Sequence, residues 1–594
     1  MPNNSCDFLI NNSYNDDIFV PESFDEEQIS YFNSARTFCK TEILNKLKDI
    51  DYHSSDKIFM KNLLKKAGKE GFLMSDIPNE YEGLNLNKTT SMLLMEGYSI
   101  DGSFATSIGA HSGIGTLPII WYGNKFQKDK YLSKSATGEY IFAYSLTEPE
   151  SGSDALSIKT TATLSEDGKY YILNGTKQFV TNGVFADVFI TFAKIDKTKF
   201  TAFIIEKDFE GLITGKEEDK MGISFSSTTS LILNNCKVPV ENLLGEIGKG
   251  HKIAFSVLNI GRMKLGFATI AGIKHSLEKS IKYSKERKQF GKYLCDFNII
   301  KEKIVDIFIK AFLTESASYR ITGNIDKKDD LLTKTDENYI KNYLDIIEEY
   351  SIEASISKIY CSEYFNQSID ETLQIFGGYG YIKDYEIEKN YRDSRIYRIF
   401  EGTNEINKLF IISTLLKRVF SGKFDIKSYS KSIMVSIKEK KYPQIDENNI
   451  LGKEICSLER IKMIFFMILN EFIGKFAAVL EEKQEILSIF SDIISNVYML
   501  DSIIQRSLFV QKSNLNNAEY YIYAVQIAVN EKIKHIFEEL KKVLTFYLTE
   551  EEYNNKLNLL NDIYYLPFVN IFDLKQKLFE KIKEKEQYFF TVLQ

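Results

Sequence analysis

The spacing of apolar positions changes character three times along the chain. From about residue 25 to 140, segments such as SARTFCKTEILNKLKDI (34–50) and KIFMKNLLKKAGKEGFLM (57–74) set apolar residues at three- and four-residue steps, with glycines at the turns that follow. That period predicts a helical N-terminal domain over 25–140. The next stretches are KYYILNGTKQFVTNG, ADVFITFAKI, FTAFIIEKDFEG and TSLILNNCKVPV. They are short, rich in β-branched and aromatic residues, and separated by Asn-Gly, Asp-Gly and Pro, which predicts a central antiparallel β domain over 141–250. Helical spacing returns at His251 and predicts a helical bundle over 251–420. The polar stretch DKKDDLLTKTDENY inside it reads as a surface loop or helical hairpin. Residues 421–450 are charged, contain Pro443, and read as a linker to a C-terminal helical extension over 451–594. No repeat period is evident. The expected fold is therefore mainly α with a central antiparallel β domain and extra C-terminal helices. That order excludes the alternating βαβ pattern of a doubly wound fold. FGGYGY, from Phe376, lacks the spacing of a dinucleotide-binding GxGxxG turn.

Composition narrows the chemistry. A chain of 594 residues exceeds one core and suggests three or four units. Apolar residues at 44% and charged residues at 26% fit a soluble globular protein. A net charge of -7 and a pI near 5.7 do not favour nucleic acid as a partner. Cys6, Cys39, Cys236, Cys295, Cys361 and Cys456 form no CxxC pair, the five histidines form no HExxH, and no metal site is expected. The scattered cysteines fit reduced thiols in a cytosol. The polar, Arg-free N-terminal stretch lacks the features of a targeting signal. MIFFMIL (463–469) is far shorter than a membrane span, so no transmembrane segment is expected and a cytoplasmic location is.

The candidate chemistry lies in five stretches: YSLTEPESGSDA (144–155), KQFVTNG (177–183), ERKQFGKYL (286–294), LQIFGGYGY (373–381) and YRIFEGTNEI (397–406). Taken singly, each has an ordinary reading: a Pro-Gly-Ser loop, a surface arginine, a helix C-cap turn, a charge near a helix start. In this order and spacing they resemble the acyl-CoA dehydrogenase family over residues 25–420, and the tail resembles that of its extended, very-long-chain type. The resemblance implies a helical, β-barrel-like, helical-bundle fold and an FAD cofactor. It assigns Tyr144, Leu146, Thr147, Gly152, Ser153, Phe179 and Thr181 to the flavin ring. Many members carry Trp where this chain has Phe179. Arg287, with Gln289 and Phe290 beside it, is implied to cross to the neighbouring subunit and meet the FAD pyrophosphate, a contact that suits a planar guanidinium fork. Gln374, Gly377 and Gly378 match a second contribution across that interface.

The same resemblance implies an acyl-CoA substrate, bound by Ser153, Asn259, Arg262, Phe400, Glu401 and Gly402. It implies a reaction in which an α proton and a β hydride leave to form trans-2-enoyl-CoA. The α proton is weakly acidic, so the reaction needs a base in a dry site, and desolvation brings a carboxylate to that strength. Glu401 is the implied base. Some members carry it instead at the position of Gly261, and glycine cannot accept a proton. Thr403 is a good N-cap for the helix NEINKLFIISTLLKRVF, whose free N–H groups, with Glu405, would face the cofactor. The implied electron acceptor is an electron-transfer flavoprotein. An acyl-CoA oxidase using O₂ and a catalytically quiet scaffold member are the alternatives. In the tail, SLERIKMIFFMILNEFIGKFAAVL (457–480) has Lys462, Glu471 and Lys475 among its few charges and must be buried. The expectation is that the tail folds against residues 251–420 in a homodimer. Membrane association is less favoured, because no strongly basic face accompanies the apolar one.

Overall fold

The computed structural model describes residues 4–11, 14, 18–47 and 57–593, so the end of the 34–50 segment and part of the N-terminal stretch lie outside the described residues. The N-terminal layer contains the helices Glu26–Cys39, Ile58–Lys69, Lys88–Tyr98, Gly102–Gly109 and Lys125–Thr137. Four of them start at a short polar side chain that accepts a backbone N–H three residues on: Asp25 from Gln28, Asn87 from Thr90, Asp101 from Phe104 and Asn124 from Gln127. These caps satisfy donors that a helix start leaves free.

The chain then forms β1 (Phe142–Ser145), β2 (Thr161–Leu164), β3 (Tyr170–Thr181), β4 (Val188–Ile195), β5 (Lys199–Glu206), β6 (Leu212–Glu217), β7 (Thr228–Pro239) and β8 (Leu243–Leu244). Their order is β6-β7-β3-β2-β4-β5-β8, with β1 pairing β4. The sheet is mixed: β1 and β2 both run parallel to β4, and the remaining pairs in it are antiparallel. β4 is buried on both sides. Val188, Ile190 and Phe192 face the helical core, while Phe189 and Ala193 join Phe203, Leu173 and Leu231 in a second, smaller core. This is why ADVFITFAKI reads as a near-continuous apolar run. In β3 the register against β7 shifts between Lys177 and Val180, and Phe179 takes a left-handed φ of 57° and is 63% exposed. A bulge at that point turns the ring out of the sheet's alternation.

The long helices Gly250–Glu286, Asn298–Asp329 and Ser351–Phe376 pack side by side, and Asn404–Phe420 lies against the last of them. The stretch 326–339 finishes one helix at Asp329 and reaches the next, Tyr339–Glu349, through a turn. Residues 421–450 are more than a linker. They contain the helix Ile426–Lys438, which buries Ile433 and Ile437 because its apolar positions share one face.

The tail helices are Gly452–Phe476, Gln484–Lys512, Ala518–Tyr547, Glu550–Ile563 and Ile571–Lys585. Gln484–Lys512 docks on the bundle. Arg320 pairs with Asp501 at 2.6 Å, and Arg506, fully buried, pairs with both Glu22 and Glu315 at 2.7 Å. The tail thus folds against the bundle as expected, through Gln484–Lys512 and Ile571–Lys585, while Gly452–Phe476 packs mainly against the other tail helices. Its Lys462 is neutralised by Glu459 at 2.7 Å, and its last turns, from Gly474, are largely exposed. Among the described residues, three stretches are long and apolar enough to cross a membrane: Gly250–Glu286, Gly452–Glu482 and Gln484–Lys512. Within their most apolar windows 72%, 44% and 83% of residues are buried in the protein.

Candidate active site

The turn after β1 carries Leu146, Thr147, Gly152 and Ser153. Two buried charges that the sequence reading did not single out hold it. Glu148 accepts from Lys177 Nζ at 2.7 Å, from Thr160 Oγ1 at 2.5 Å and from the backbone N–H groups of Lys159 and Thr160. Lys177 Nζ also donates to the Leu146 carbonyl at 3.2 Å. The Thr147 carbonyl accepts from Gln178 N at 2.8 Å, so the 144–153 turn is laced to the β3 bulge that carries Phe179. Thr181 is the last residue of β3. The only hint of this clamp in the sequence is one charge within each motif, and an isolated charge does not reveal its partner. At the turn's outer edge Gly152 and Ser153 are exposed, and a Cβ on Gly152 would meet nothing within 4 Å.

Glu401 arrives from the other side. It follows Phe400, which packs on Tyr397 at the edge of the core, and precedes the helix that Thr403 caps by accepting from Ile406 N. Its φ is 55° and that of Gly402 is 85°, two left-handed residues in succession. For a non-glycine this costs energy and is held only where surrounding bonds dictate it. Here Asn407 Nδ2 donates to the carbonyls of Glu401, Gly402 and Thr403 at 3.4, 2.7 and 3.1 Å. Lys358 Nζ donates to the Gly402 carbonyl at 2.7 Å and to Asn404 Oδ1 at 2.8 Å. Arg262 Nε reaches the Glu401 carbonyl at 3.5 Å, its Nη1 donates to Asn259 Oδ1 at 2.8 Å, and its guanidinium lies over the Phe410 ring. Glu405 is exposed at the start of the capped helix, and a backbone N–H there holds its carboxyl below its usual range.

The carboxylate itself lies against bare backbone. A Cβ on Gly261 would stand 3.0 Å from Glu401 Cδ and 3.1 Å from Oε2. Burial pushes the Glu401 carboxyl up to about 7, against the opposing pull of Arg262 and then Lys358. Burial likewise lowers Arg262 to about 10 and Lys358 to about 7. Glu401 Oε2 and the Tyr144 hydroxyl are buried with no hydrogen-bond partner among the described residues. Unsatisfied buried polar atoms are expensive and mark a place where a ligand supplies the missing contacts. Burial and then the Glu401 charge oppose ionisation of Tyr144, which places β1 within reach of the Glu401 carboxyl.

The remaining candidates gather elsewhere. Arg287 is the C-cap of Gly250–Glu286 and its guanidinium lies over the Tyr379 ring at 5.5 Å. Arg287, Gln289, Gly377 and Gly378 line one cavity of about 480 Å³, with Tyr283, Phe376 and Tyr379 among its walls. A Cβ on Gly377 or Gly378 would meet nothing within 4 Å. Gln374 is exposed one turn before the glycines. Phe290 has a φ of 52° and is 93% exposed. Arg262 and the C-cap Arg287 are separated by 25 positions along one helix, or about 37 Å at the rise of an α-helix. The second group thus stands at the C-terminal end of the helix, far from Arg262, which lies about a third of the way along it. No group of three or more metal-ligating side chains occurs among the described residues.

Both groups fit a flavin dinucleotide. One offers orphaned buried polar atoms and an exposed aromatic, and the other an arginine fork and two glycines that leave backbone open to a phosphate. Comparison with known proteins identifies the family. Models of the acyl-CoA dehydrogenase N-terminal, middle and C-terminal domains match residues 25–139, 143–236 and 248–416, and a further acyl-CoA dehydrogenase C-terminal domain model matches 460–561. A probable acyl-CoA dehydrogenase of Bacillus subtilis is 40% identical over 582 residues, 98% of each chain. The mitochondrial very long-chain specific acyl-CoA dehydrogenase of Mus musculus is 38% identical over 64% of this chain and 55% of that one. The crystal structure of an acyl-CoA dehydrogenase complexed with FAD from Bacillus anthracis superposes with a TM-score of 0.96 at 39% identity, covering 99% of this chain and 100% of that one. Four family models along the chain and a full-length match in both sequence and fold leave one assignment: this protein belongs to the acyl-CoA dehydrogenase family and is an FAD-dependent oxidoreductase of acyl-CoA metabolism.

Proposed function

We propose that the protein oxidises a fatty acyl-CoA to its trans-2-enoyl-CoA with Glu401 as the base and passes the electrons to an electron-transfer flavoprotein. The observation that carries this reading is the carboxyl of Glu401, tuned to about 7, packed against the backbone of Gly261 and facing an unpartnered Tyr144. A base of that strength matches a weakly acidic α proton at neutral pH. FAD, when bound, supplies the hydride acceptor. Glu401 Oε2 takes the α proton, so the C–H electron pair becomes the new double bond as the β hydride leaves. Arg262 and Asn259 hold the Glu401 backbone in line, and the bulge at Phe179 with the Glu148–Lys177 clamp fixes the wall opposite. Ser153, Phe400 and Gly402 border the space in which the thioester would lie.

The separation of Arg262 from Arg287 supports a homodimer. A gap of about 37 Å exceeds an extended dinucleotide, so Arg287, Gln289, Phe290, Gln374 and the two glycines serve the cofactor of a second copy. The full-length bacterial relative supports a cytoplasmic enzyme. Glu401→Gln tests the base directly. It is expected to keep FAD and bind acyl-CoA while the rate of flavin bleaching by acyl-CoA falls by several orders of magnitude. Wild-type bleaching in that variant would remove Glu401 from the reaction.

A further inference from the structure

The turn that presents Glu401 is held by one charged residue whose burial needs a reason. Lys358 lies on Ser351–Phe376, is 0% exposed, and has no carboxylate within ion-pair distance among the described residues. Burying an ammonium without an ion pair is costly, and such groups gather where chemistry uses them. Its donors go to the Gly402 carbonyl at 2.7 Å and to Asn404 Oδ1 at 2.8 Å. Asn404 is itself anchored, donating to Glu363 Oε1 at 2.7 Å and Ser362 Oγ at 3.0 Å, while Arg398 holds the same Glu363 oxygen at 2.8 Å. The charge that Lys358 feels first is that of Glu401, ahead of Arg262, Glu405 and Glu363.

We propose that Lys358 is a positioning residue for the base: through the Gly402 carbonyl it pins the left-handed 401–402 turn, and its buried charge favours the Glu401 carboxylate. The inference rests on Glu401 being the base and adds to it how the base is held and tuned. Three elements face the Glu401 carboxyl with titratable groups: Gly250–Glu286 with Arg262, Ser351–Phe376 with Lys358, and β1 with Tyr144. Arg262 and Lys358 both pull its proton affinity down, while burial pushes it up. Arg262 reaches the Glu401 carbonyl from one helix at 3.5 Å, and Lys358 holds the Gly402 carbonyl from the neighbouring helix at 2.7 Å, the shorter of the two bonds to the turn. Burial lowers Lys358 to about 7, so its charge is present on the acid side of neutrality, where the base loses its carboxylate form.

The experiment is single-turnover flavin bleaching by acyl-CoA between pH 5.5 and 9 on flavin-loaded wild type, Lys358→Met and Lys358→Arg, with Glu401→Gln as the reference. In Lys358→Met the acid limb is expected to move up by about one pH unit, a further loss of about tenfold at pH 6 relative to pH 9. Lys358→Arg is expected to return the limb to its wild-type position, which a purely structural role would not do. The infrared carboxyl band of Glu401, identified by its loss in Glu401→Gln, should titrate upward in step in Lys358→Met. Should Lys358→Met fail to retain flavin, Lys358→Gln, which keeps a donor near Gly402 without the charge, carries the same comparison. A wild-type limb in the uncharged variant, with Glu401→Gln inactive, overturns the proposal. An active Glu401→Gln overturns the base assignment instead.

Discussion

Gly261→Ala puts the geometry of the base under the smallest available stress. The added methyl carbon would stand 3.0 Å from Glu401 Cδ and 3.1 Å from Oε2, where ordinary contact begins at 3.4 Å. Gly261 lies inside the 37-residue helix Gly250–Glu286, packed along Ser351–Phe376, so the backbone cannot yield and the carboxyl must move by a few tenths of an ångström. Its turn is fixed by Asn407, Lys358 and Arg262, which leaves only side-chain rotation. A displacement of that size at a reacting atom costs roughly 3- to 10-fold in rate, since about 1 Å costs 10²-fold. The methyl also excludes solvent from the carboxyl and raises its proton affinity further. Folding moves the other way, because alanine inside a helix is favoured over glycine by about 0.8–1 kcal/mol. Thermal unfolding and flavin content should therefore stay at or above wild type while the bleaching rate falls. A Gly261→Ala protein that is stable, fully flavinated and as fast as wild type would mean that Glu401 does not work from the position packed against residue 261.

The remaining predictions concern charge. Burial raises Glu401 above its ordinary 4.5 to about 7, so the folded state favours the protonated acid. That stabilisation is complete below pH 4.5 and is lost as pH rises to 7, costing about 3 kcal/mol. Denaturant unfolding of wild type and Glu401→Gln should diverge in favour of Gln across this window, and the wild-type bleaching rate should rise with pH through about 7. Parallel stability curves would contradict the raised proton affinity. Arg287→Ala removes the charged fork at the second group and should weaken FAD retention at low FAD concentration. Light scattering of the wild type should give twice the chain mass of 68.5 kDa, and a monomer would refute the shared site. Arg506→Met leaves Glu22 and Glu315 with a buried charge deficit and should lower stability by about 3–5 kcal/mol. The flavin half-reaction of the protein that remains folded should be unchanged.

Local physics was legible in the sequence. The three- to four-residue period located the long helices, Thr403 announced its cap, and the run of β-branched and aromatic residues located the sheet. The five motifs named the family because each is a contiguous stretch whose order along the chain survives folding. Glu401 stood out as an acid between an apolar pair and a glycine. What was not legible depends on residues far apart in sequence. β1 and β2 run parallel to β4 because the chain crosses the sheet before pairing, and no local pattern records the direction of a partner. The outward turn of Phe179 comes from a register slip against β7. Glu148 with Lys177, and Lys358 with Gly402, were invisible as pairs, since a single charge carries no sign of the atom it will meet. The tail was rightly expected against the bundle, and Gly452–Phe476 is buried up to Phe472. The neighbours of that helix are nevertheless other tail helices, because apolarity is non-directional and names no partner. The identity of the base was written in the chain. Its strength was set only when folding took its carboxyl out of water beside Arg262 and Lys358, since desolvation and nearby charge exist only in the assembled structure.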